Sequence, residues 1–321
     1  MFKILVTGAS GFIGKNLCRE LVKSNRSIQG TVRNLNSMSI NNNLKYFSIG
    51  NIDSKTSWNN ALLDTDCIIH CAGIAHKISK KDEIDVYRSV NTEGTKRLAE
   101  QAAKAGVKRL IFLSSVKVNG EATDKINSNT ILNDQTFTHN DLPDPQDAYA
   151  LSKLEAEKEL WEISSRTNLE IVVLRLPLVY GHGVKGNLKR FMKLINSNIP
   201  LPFSLVKNQR SLIGIDNLVD LIIRCIDHSD AVGKTFLVSD GEDLSTPNLV
   251  NHIASSMGRT SYLFPIPIFL LRIAGSILGK KKEIDRLVGS LKIDSSYTQK
   301  VLKWTAPISV TEGIRRMVQG K

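Results

Sequence analysis

The stretch TGASGFIG, residues 7–14, follows directly on the apolar run KILV, residues 3–6, and leads into a segment of helical period. A strand that turns through glycines into a helix carries the helix's unpaired backbone N–H groups and positive dipole end to the edge of a sheet. Gly8, Gly11 and Gly14 stand at the spacing that supplies a tight bend, close approach of a pyrophosphate and close packing of helix on strand. A glycine triplet alone is a weak signal, and here it gains weight from the alternating pattern downstream. Apolar runs recur as SIQGTV (27–32), YFSI (46–49), CIIH (67–70), LIFL (110–113) and IVVL (171–174). Between several of them lie segments of helical period such as NTEGTKRLAEQAAKAG (91–106). Fully apolar strands separated by helices predict a parallel sheet covered on both faces, a doubly wound α/β fold. After residue 175 the rhythm changes. Pro and Gly cluster in RLPLVYGHGVKGN (175–187) and NIPLPF (198–203), and the helical pattern DNLVDLIIRCI (216–226) shows no regular strand partner. A smaller, irregular C-terminal domain is expected there.

The chain has 321 residues, 41% of them hydrophobic, enough for a sizeable core. Its formal net charge of +12 suits a polyanionic partner, whether nucleic acid, an anionic membrane or a phosphorylated small molecule. The basic residues are dispersed, and 6% aromatics offer no basic-aromatic platform, which argues against nucleic acid. Cys18, Cys67, Cys71 and Cys225 contain no C-x-x-C pair and lie mostly inside apolar runs, so they read as core residues in a reducing compartment. In CIIHC the His70 and Cys71 side chains alternate across a strand, and no metal is expected. The start MFKILVTG is too short an apolar run for a signal peptide, and a cytoplasmic protein is expected. The polar NNN at 41–43 is the one low-complexity tract. LFPIPIFLLRIAGSILGKKK (263–282) is apolar, but Pro265, Pro267 and Arg272 interrupt it, and it falls short of a membrane span. It reads as a buried or subunit-contacting helix, with peripheral membrane contact as the alternative.

DAYALSKLEAEKEL (147–160) puts Tyr149 and Lys153 one helical turn apart on one face. An ammonium about 4 Å from the phenol favours the phenolate by roughly 4 kcal/mol at an effective dielectric near 20. That would bring a tyrosine from about 10 toward neutrality, where it can donate or accept a proton. Ser115 ends the LIFL strand, where open α/β sheets bind ligands, and can hold a substrate oxygen. Arg33 stands at the end of the second strand, where an acidic residue would select NAD. A guanidinium there favours NADP, or removes the barrier to it. Asn187 lies at a helix start suited to a phosphate.

Taken together, TGASGFIG, NTEGT (91–95), FLSSV (112–116), YALSK (149–153), RLPLVYG (175–181) and RSLIGIDNLVD (210–220) resemble the extended short-chain dehydrogenase/reductase superfamily, the NAD-dependent epimerases and dehydratases of nucleotide sugars. The resemblance spans nearly the whole chain. It implies a Rossmann domain over 1–178 plus about 211–240, and a nucleotide-sugar-binding domain over 179–210 plus about 241–321. It assigns Ser115, Tyr149, Lys153 and Asn91 to catalysis. It further implies that NAD or NADP is held by Gly8, Ser10, Gly11, Phe12, Ile13, Gly14, Arg33, Asn51 and Ile52, by His70, Cys71, Ala72 and Gly73 beside the nicotinamide, and by Tyr149, Lys153 and Pro177. On the substrate side it points to Ser115, Lys117, Asn119, Tyr149, Asn187, Arg210 and Arg286, with the two arginines and Asn187 gripping a diphosphate. A homodimer through helices 91–105 and 148–165 is implied as well. SSVKVNGEA, YALSKLEAE, PLPFSLVKNQRSLIGIDNLVD and GSLKIDSS look most like bacterial reductases of the 4-keto group of UDP-2-acetamido-2,6-dideoxy-hexuloses, which make UDP-FucNAc or UDP-QuiNAc for surface polysaccharide such as O-antigen. The alternative is a UDP-N-acetylglucosamine or UDP-glucose 4-epimerase using the same residues; a non-catalytic cofactor sensor is more remote, because Ser115, Tyr149 and Lys153 are all kept. Two departures stand out: Ala150, where relatives often carry Gly, and the longer segment at 121–141, which either covers the sugar or is a mobile surface loop.

Overall fold

A computed structural model describes residues 1–24, 26–35, 44–75, 83–127, 130–132 and 135–320; the polar run at 41–43 lies outside them. Seven strands form one parallel sheet: β1 (Lys3–Thr7), β2 (Ser27–Val32), β3 (Leu44–Ser48), β4 (Cys67–His70), β5 (Arg109–Ser115), β6 (Glu170–Leu176) and β7 (Lys234–Leu237). Their spatial order is β7-β6-β5-β4-β1-β2-β3. The order reverses between β1 and β4, which pair from Ile4 against Cys67 to Thr7 against His70. A crevice therefore opens at the carboxyl ends of these two strands, the place where a doubly wound sheet takes its ligand.

The main helices are α1 (Phe12–Leu21), α2 (Gly94–Lys104), α3 (Ala148–Ser165), α4 (Asn187–Asn196), α5 (Ile215–Asp227), α6 (Thr246–Ser256), α7 (Ile268–Ile277), α8 (Lys281–Val288) and α9 (Val310–Gln319). Alternation along the strands sets the layers. Ile4, Val6, Ile111 and Leu113 pack with Leu17 of α1 and Leu218 and Ile222 of α5. Leu5, Leu110 and Phe112 pack on the other face with Leu98 of α2 and Leu160 of α3. Both faces are thus dry, which is why the strands read as continuous apolar runs.

The helical pattern at 216–226 does have a strand partner. α5 leads through a short connection into β7, which pairs in parallel with β6 from Lys234 against Val172 to Leu237 against Arg175. β7, KTFL, opens with Lys234 and Thr235 and so does not stand out as an apolar run. The pattern at 91–106 also begins earlier than its sequence suggests, with Glu83–Tyr87 helical and a wide π-helical turn over Arg88–Glu93 ahead of α2.

A second core gathers Leu188 and Phe191 of α4, Val250 and Ile253 of α6, and Ile314 and Met317 of α9 around Tyr180. Beside it Leu178–Tyr180, Arg210–Gly214 and Asp243–Leu244 form a small sheet. Asp240 ties the two cores together. It accepts from Tyr180 Oη at 2.7 Å and from Asn217 Nδ2 of α5 at 2.7 Å. The segment at 121–141 is pinned at its described ends, where Thr123 N donates to Ser290 O and Phe137 N to Lys292 O, each at 2.9 Å. Residues 128–129 and 133–134 of it lie outside the described residues. The apolar stretch at 263–282 is not a buried helix. Leu271 and Gly275 of α7 face inward, whereas Phe269, Ile273 and Ile277 lie exposed. Among the described residues no helix is long and apolar enough to cross a membrane.

Candidate active site

Gly8 leaves β1 at φ +64°, and a Cβ there would lie 2.9 Å from Ala72 Cα of the chain leaving β4. Gly11 N donates to Gly8 O at 2.9 Å, closing the turn. A Cβ on Gly14 would come within 2.3 Å of Gly8 O, so that glycine lets α1 pack onto the turn behind it. No side chain caps α1, which leaves its amino end to an anion. In front of the turn lies a cavity of about 700 Å³. Gly8, Ser10, Gly11 and Arg33 line it on one side, with Asn51 and Ile52 and, at the end nearest β4, Cys71, Ala72 and Gly73.

Size, glycine cradle and helix start fit a dinucleotide. The cavity also takes in Thr31 and Val32 at the end of β2, Asp53 beside Ile52, and Val86, Ser89 and Val90 from the turn before α2. Sequence reasoning missed these. Their only signal is the helical spacing of 86, 89 and 90 and the position of 31 and 32 at a strand end. His70 does not line the cavity. Its Nδ1 lies 2.7 Å from Thr7 Oγ1 and its Nε2 2.9 Å from Thr95 Oγ1, and burial draws its pKa down to about 3. It is a neutral core imidazole that ties β1 and β4 to α2. Phe12 and Ile13 pack against the core instead of the cavity, and buried Pro177 is not part of its wall either. Replacing Gly8 with Ala forces both a left-handed backbone and a clash, at a cost of about 1–3 kcal/mol. The expected result is loss of co-purifying dinucleotide, read by absorbance of the denatured supernatant, with the far-ultraviolet spectrum retained.

The carboxylate of Asp147 caps α3, accepting from Ala150 N at 2.7 Å, and so starts the helix just ahead of Tyr149. Ser114 and Ser115 lie on opposite faces of β5. Ser114 Oγ donates to the buried carboxylate of Glu157, while Ser115 Oγ, on the other face, accepts from Lys117 N at 3.3 Å. Lys153 Nζ donates to Leu113 O at 2.9 Å and lies 4.5 Å from the centre of the Phe112 ring. Burial pushes the Tyr149 phenol up to about 12, Asp147 and Tyr87 adding to it and the Ser115 hydroxyl pulling the other way. Burial likewise draws Lys153 down to about 8, against Glu157 and Cys71. Desolvation thus sets the phenol's state, and the one-turn attraction expected from Lys153, whose Nζ is turned to Leu113 O, does not bring it toward neutrality. Asn91 sits in the π-helical turn. Its Oδ1 accepts from Ile74 N at 2.9 Å, and its Nδ2 donates to Ile74 O at 3.0 Å and Ser152 Oγ at 3.1 Å. It fixes the chain after Gly73 against α3. A Cβ on Gly73 would lie 3.0 Å from Asn91 Oδ1 and 3.4 Å from Lys153 Nζ.

A second cavity, of about 250 Å³, brings Arg210 and Arg286 together with Glu121, Gln146 and Lys282. Arg210 Nη1 donates to Arg286 O at 2.9 Å and Gly289 O at 3.0 Å. Burial and the charge of Arg286 draw Arg210 down to about 10. Lys117 Nζ lies 2.5 Å from both Glu121 Oε1 and Asp147 Oδ2, and Arg286 Nη2 is 3.3 Å and 3.7 Å from the same two oxygens. Two cations thus share two carboxylates, one of which caps the Tyr149 helix. Asn119 does not face this cavity. Its Oδ1 accepts from Arg175 Nη1 at 3.0 Å inside the core. Asn187 begins α4, and its side chain lies outside the described residues.

Residues 4–239 match the model of the NAD dependent epimerase/dehydratase family. The chain is 41% identical to a UDP-glucose 4-epimerase of Vibrio cholerae, over 98% of this chain and 94% of that protein. It is 24% identical to the N-acetyl-alpha-D-glucosaminyl-diphospho-ditrans,octacis-undecaprenol 4-epimerase of Escherichia coli O157:H7, again over 98% and 94%. The crystal structure of a UDP-glucuronic acid 4-epimerase from Bacillus cereus in complex with NAD shares the fold, with a TM-score of 0.78 at 21% identity over 99% of this chain and 96% of that one. The chain belongs to the NAD dependent epimerase/dehydratase family and is an NAD(P)-dependent enzyme.

Proposed function

We propose, from that membership, that the protein inverts the C4 hydroxyl of a UDP-hexose, with Tyr149 moving the proton, Lys153 as the cation behind it and Ser115 holding the reacting oxygen. One observation carries the reading: Tyr149 stands one helical turn from Lys153, whose Nζ lies beside Gly73 of the glycine-lined cleft, in a chain 41% identical to a UDP-glucose 4-epimerase along almost its whole length. The 4-ketoreductase favoured on sequence gives way as the leading reading, because the Vibrio cholerae and Escherichia coli relatives are 4-epimerases. Arg33 on the cleft wall still favours it as the second reading, since a guanidinium there suits a 2′-phosphate.

Gly8, Ser10, Gly11, Arg33, Asn51 and Ile52, with Cys71, Ala72 and Gly73 toward β4, would hold the dinucleotide, which when bound would supply reversible hydride transfer at C4. Tyr149 takes the proton of the C4 hydroxyl and gives it back after the sugar has turned over. Ser115 hydrogen-bonds the oxygen while its charge changes. Arg210 and Arg286 hold the diphosphate, with Lys117 and the carboxylates of Glu121 and Asp147 at the edge of the same cavity. Ile74 after Gly73, fixed by Asn91, and Ala72 before it, held by Thr7, keep that strand end open for the cofactor.

Because burial holds the phenol protonated up to about 12, the fraction able to accept a proton grows as pH rises. kcat/KM for the sugar alcohol should therefore climb from pH 6, by ~10-fold per unit at most. It should flatten near pH 8, where Lys153 gives up its proton and its charge. The deciding assay incubates purified protein with UDP-glucose and with UDP-N-acetylglucosamine, without added reductant, and follows C4 epimers by proton NMR. Epimer formation is expected. Consumption of NADPH with a 4-keto-6-deoxy sugar and no epimer from either alcohol would replace this reading with the reductase.

A further inference from the structure

α7 and α8 form a hairpin whose inner side is closed and whose outer side is open. Leu271 and Gly275 of α7 are buried, and Ile284 of α8 packs so tightly on Gly275 that a Cβ there would lie 2.7 Å from it. On the outer side Phe269 is 61% exposed, Ile273 52%, Ile277 80% and Leu278 70%. These positions recur at helical spacing and make one continuous apolar face, with Phe264 and Leu270 at its border. Such a face on a water-soluble surface marks a contact. What it contacts is indicated by the charges beside it. Lys280, Lys281 and Lys282 come directly after the apolar face, all exposed. A second copy of this surface would set lysine against lysine, and an apolar peptide would leave the lysines unmatched; a plane of phosphates above hydrocarbon matches both.

We propose that this hairpin docks the protein on an anionic phospholipid bilayer. The ten residues of α7 lie in the plane of the interface, with Phe269, Ile273 and Ile277 in the acyl boundary and Lys280 and Lys281 on the phosphates. Lys282, Asp285 and Arg286 on the same hairpin line the cavity of Arg210, so docking brings the mouth of that cavity to the membrane surface.

The test is co-sedimentation of the full chain with sucrose-loaded vesicles of phosphatidylcholine alone, or of equal parts phosphatidylcholine and phosphatidylglycerol. Binding to the mixed vesicles only, weakened by salt, is expected. The double variant Lys280→Gln, Lys281→Gln should bind ~25-fold more weakly at low salt, about fivefold for each lysine near an anionic surface. Phe269→Ser with Ile277→Ser should lose ~10-fold or more. Both variants should keep the thermal midpoint and turnover of the parent protein, since the replaced side chains are exposed. No binding to the mixed vesicles overturns the proposal. So does binding that survives the apolar substitutions, and so does a dimer that those substitutions split in size-exclusion chromatography, which would show that a second copy covers the face.

Discussion

Tyr149→Phe is expected to lower kcat by ~10²–10⁴, the range for removing a general acid–base group, while the protein keeps its dinucleotide and its urea midpoint. The ring stays, so the edge contact with Tyr87, whose ring centre lies 5.9 Å away, is preserved. What goes is the hydroxyl alone. Ser115 cannot replace it. Its hydroxyl has no base beside it: Lys153 is committed to Leu113 O at 2.9 Å, and the Glu157 carboxylate on the opposite face of β5 is taken by Ser114 and Arg175. Near-normal turnover in Tyr149→Phe would remove the catalytic assignment. A loss of turnover together with a lowered urea midpoint would instead make the hydroxyl structural.

The second large effect concerns stability. Arg175 of β6 and Glu157 of α3 form a buried pair, Nη2 to Oε2 at 2.6 Å, with 7% and 2% of the two residues exposed. Arg175 Nε also donates to Glu157 Oε1 at 3.1 Å, and Nη1 donates to Asn119 Oδ1 at 3.0 Å. Arg175→Met leaves the carboxylate in the core without its cation and Asn119 without its donor. The expected loss is about 3–5 kcal/mol, read from urea unfolding followed by fluorescence. Adding Glu157→Leu should recover most of it, because two apolar side chains in place of a buried pair cost little. If the double variant is no better than the single one, the pair's worth lies in holding Ser114 and Asn119 in place instead of in compensating charge.

Much of the fold was legible because it is written in local periodicity. The run CIIH coincides with β4 to the residue, as expected of a strand dry on both faces, and SIQGTV with β2 although Gln29 and Thr31 place buried polar groups in it. β7 was not legible, because KTFL opens with two polar residues and owes its place to pairing with β6. The glycine turn was readable for the same local reason: Gly8 needs φ +64° and Gly14 needs the absence of a Cβ, whatever surrounds them. In the site, the spacing of Tyr149 and Lys153 follows from the helical rise alone. Their protonation does not. It is set by desolvation from residues distant in sequence, which is why the phenol lies near 12 and the amine near 8.

His70 shows the same division. Its place on a strand was evident, but only packing sets it between Thr7 and Thr95 as a neutral core group. Asn119 turned into the core because Arg175, 56 residues away in sequence, needed an acceptor there. Arg210 and Arg286, 76 residues apart in sequence, meet because residues 289–291 pair beside Arg210. By itself, then, the sequence determined the strands, the phosphate turn and the Tyr149–Lys153 pair, all of which depend on near neighbours and backbone geometry. The tertiary structure alone decided which polar groups are desolvated, which cations converge and which apolar helix face is left in water, since each depends on contacts between residues far apart along the chain.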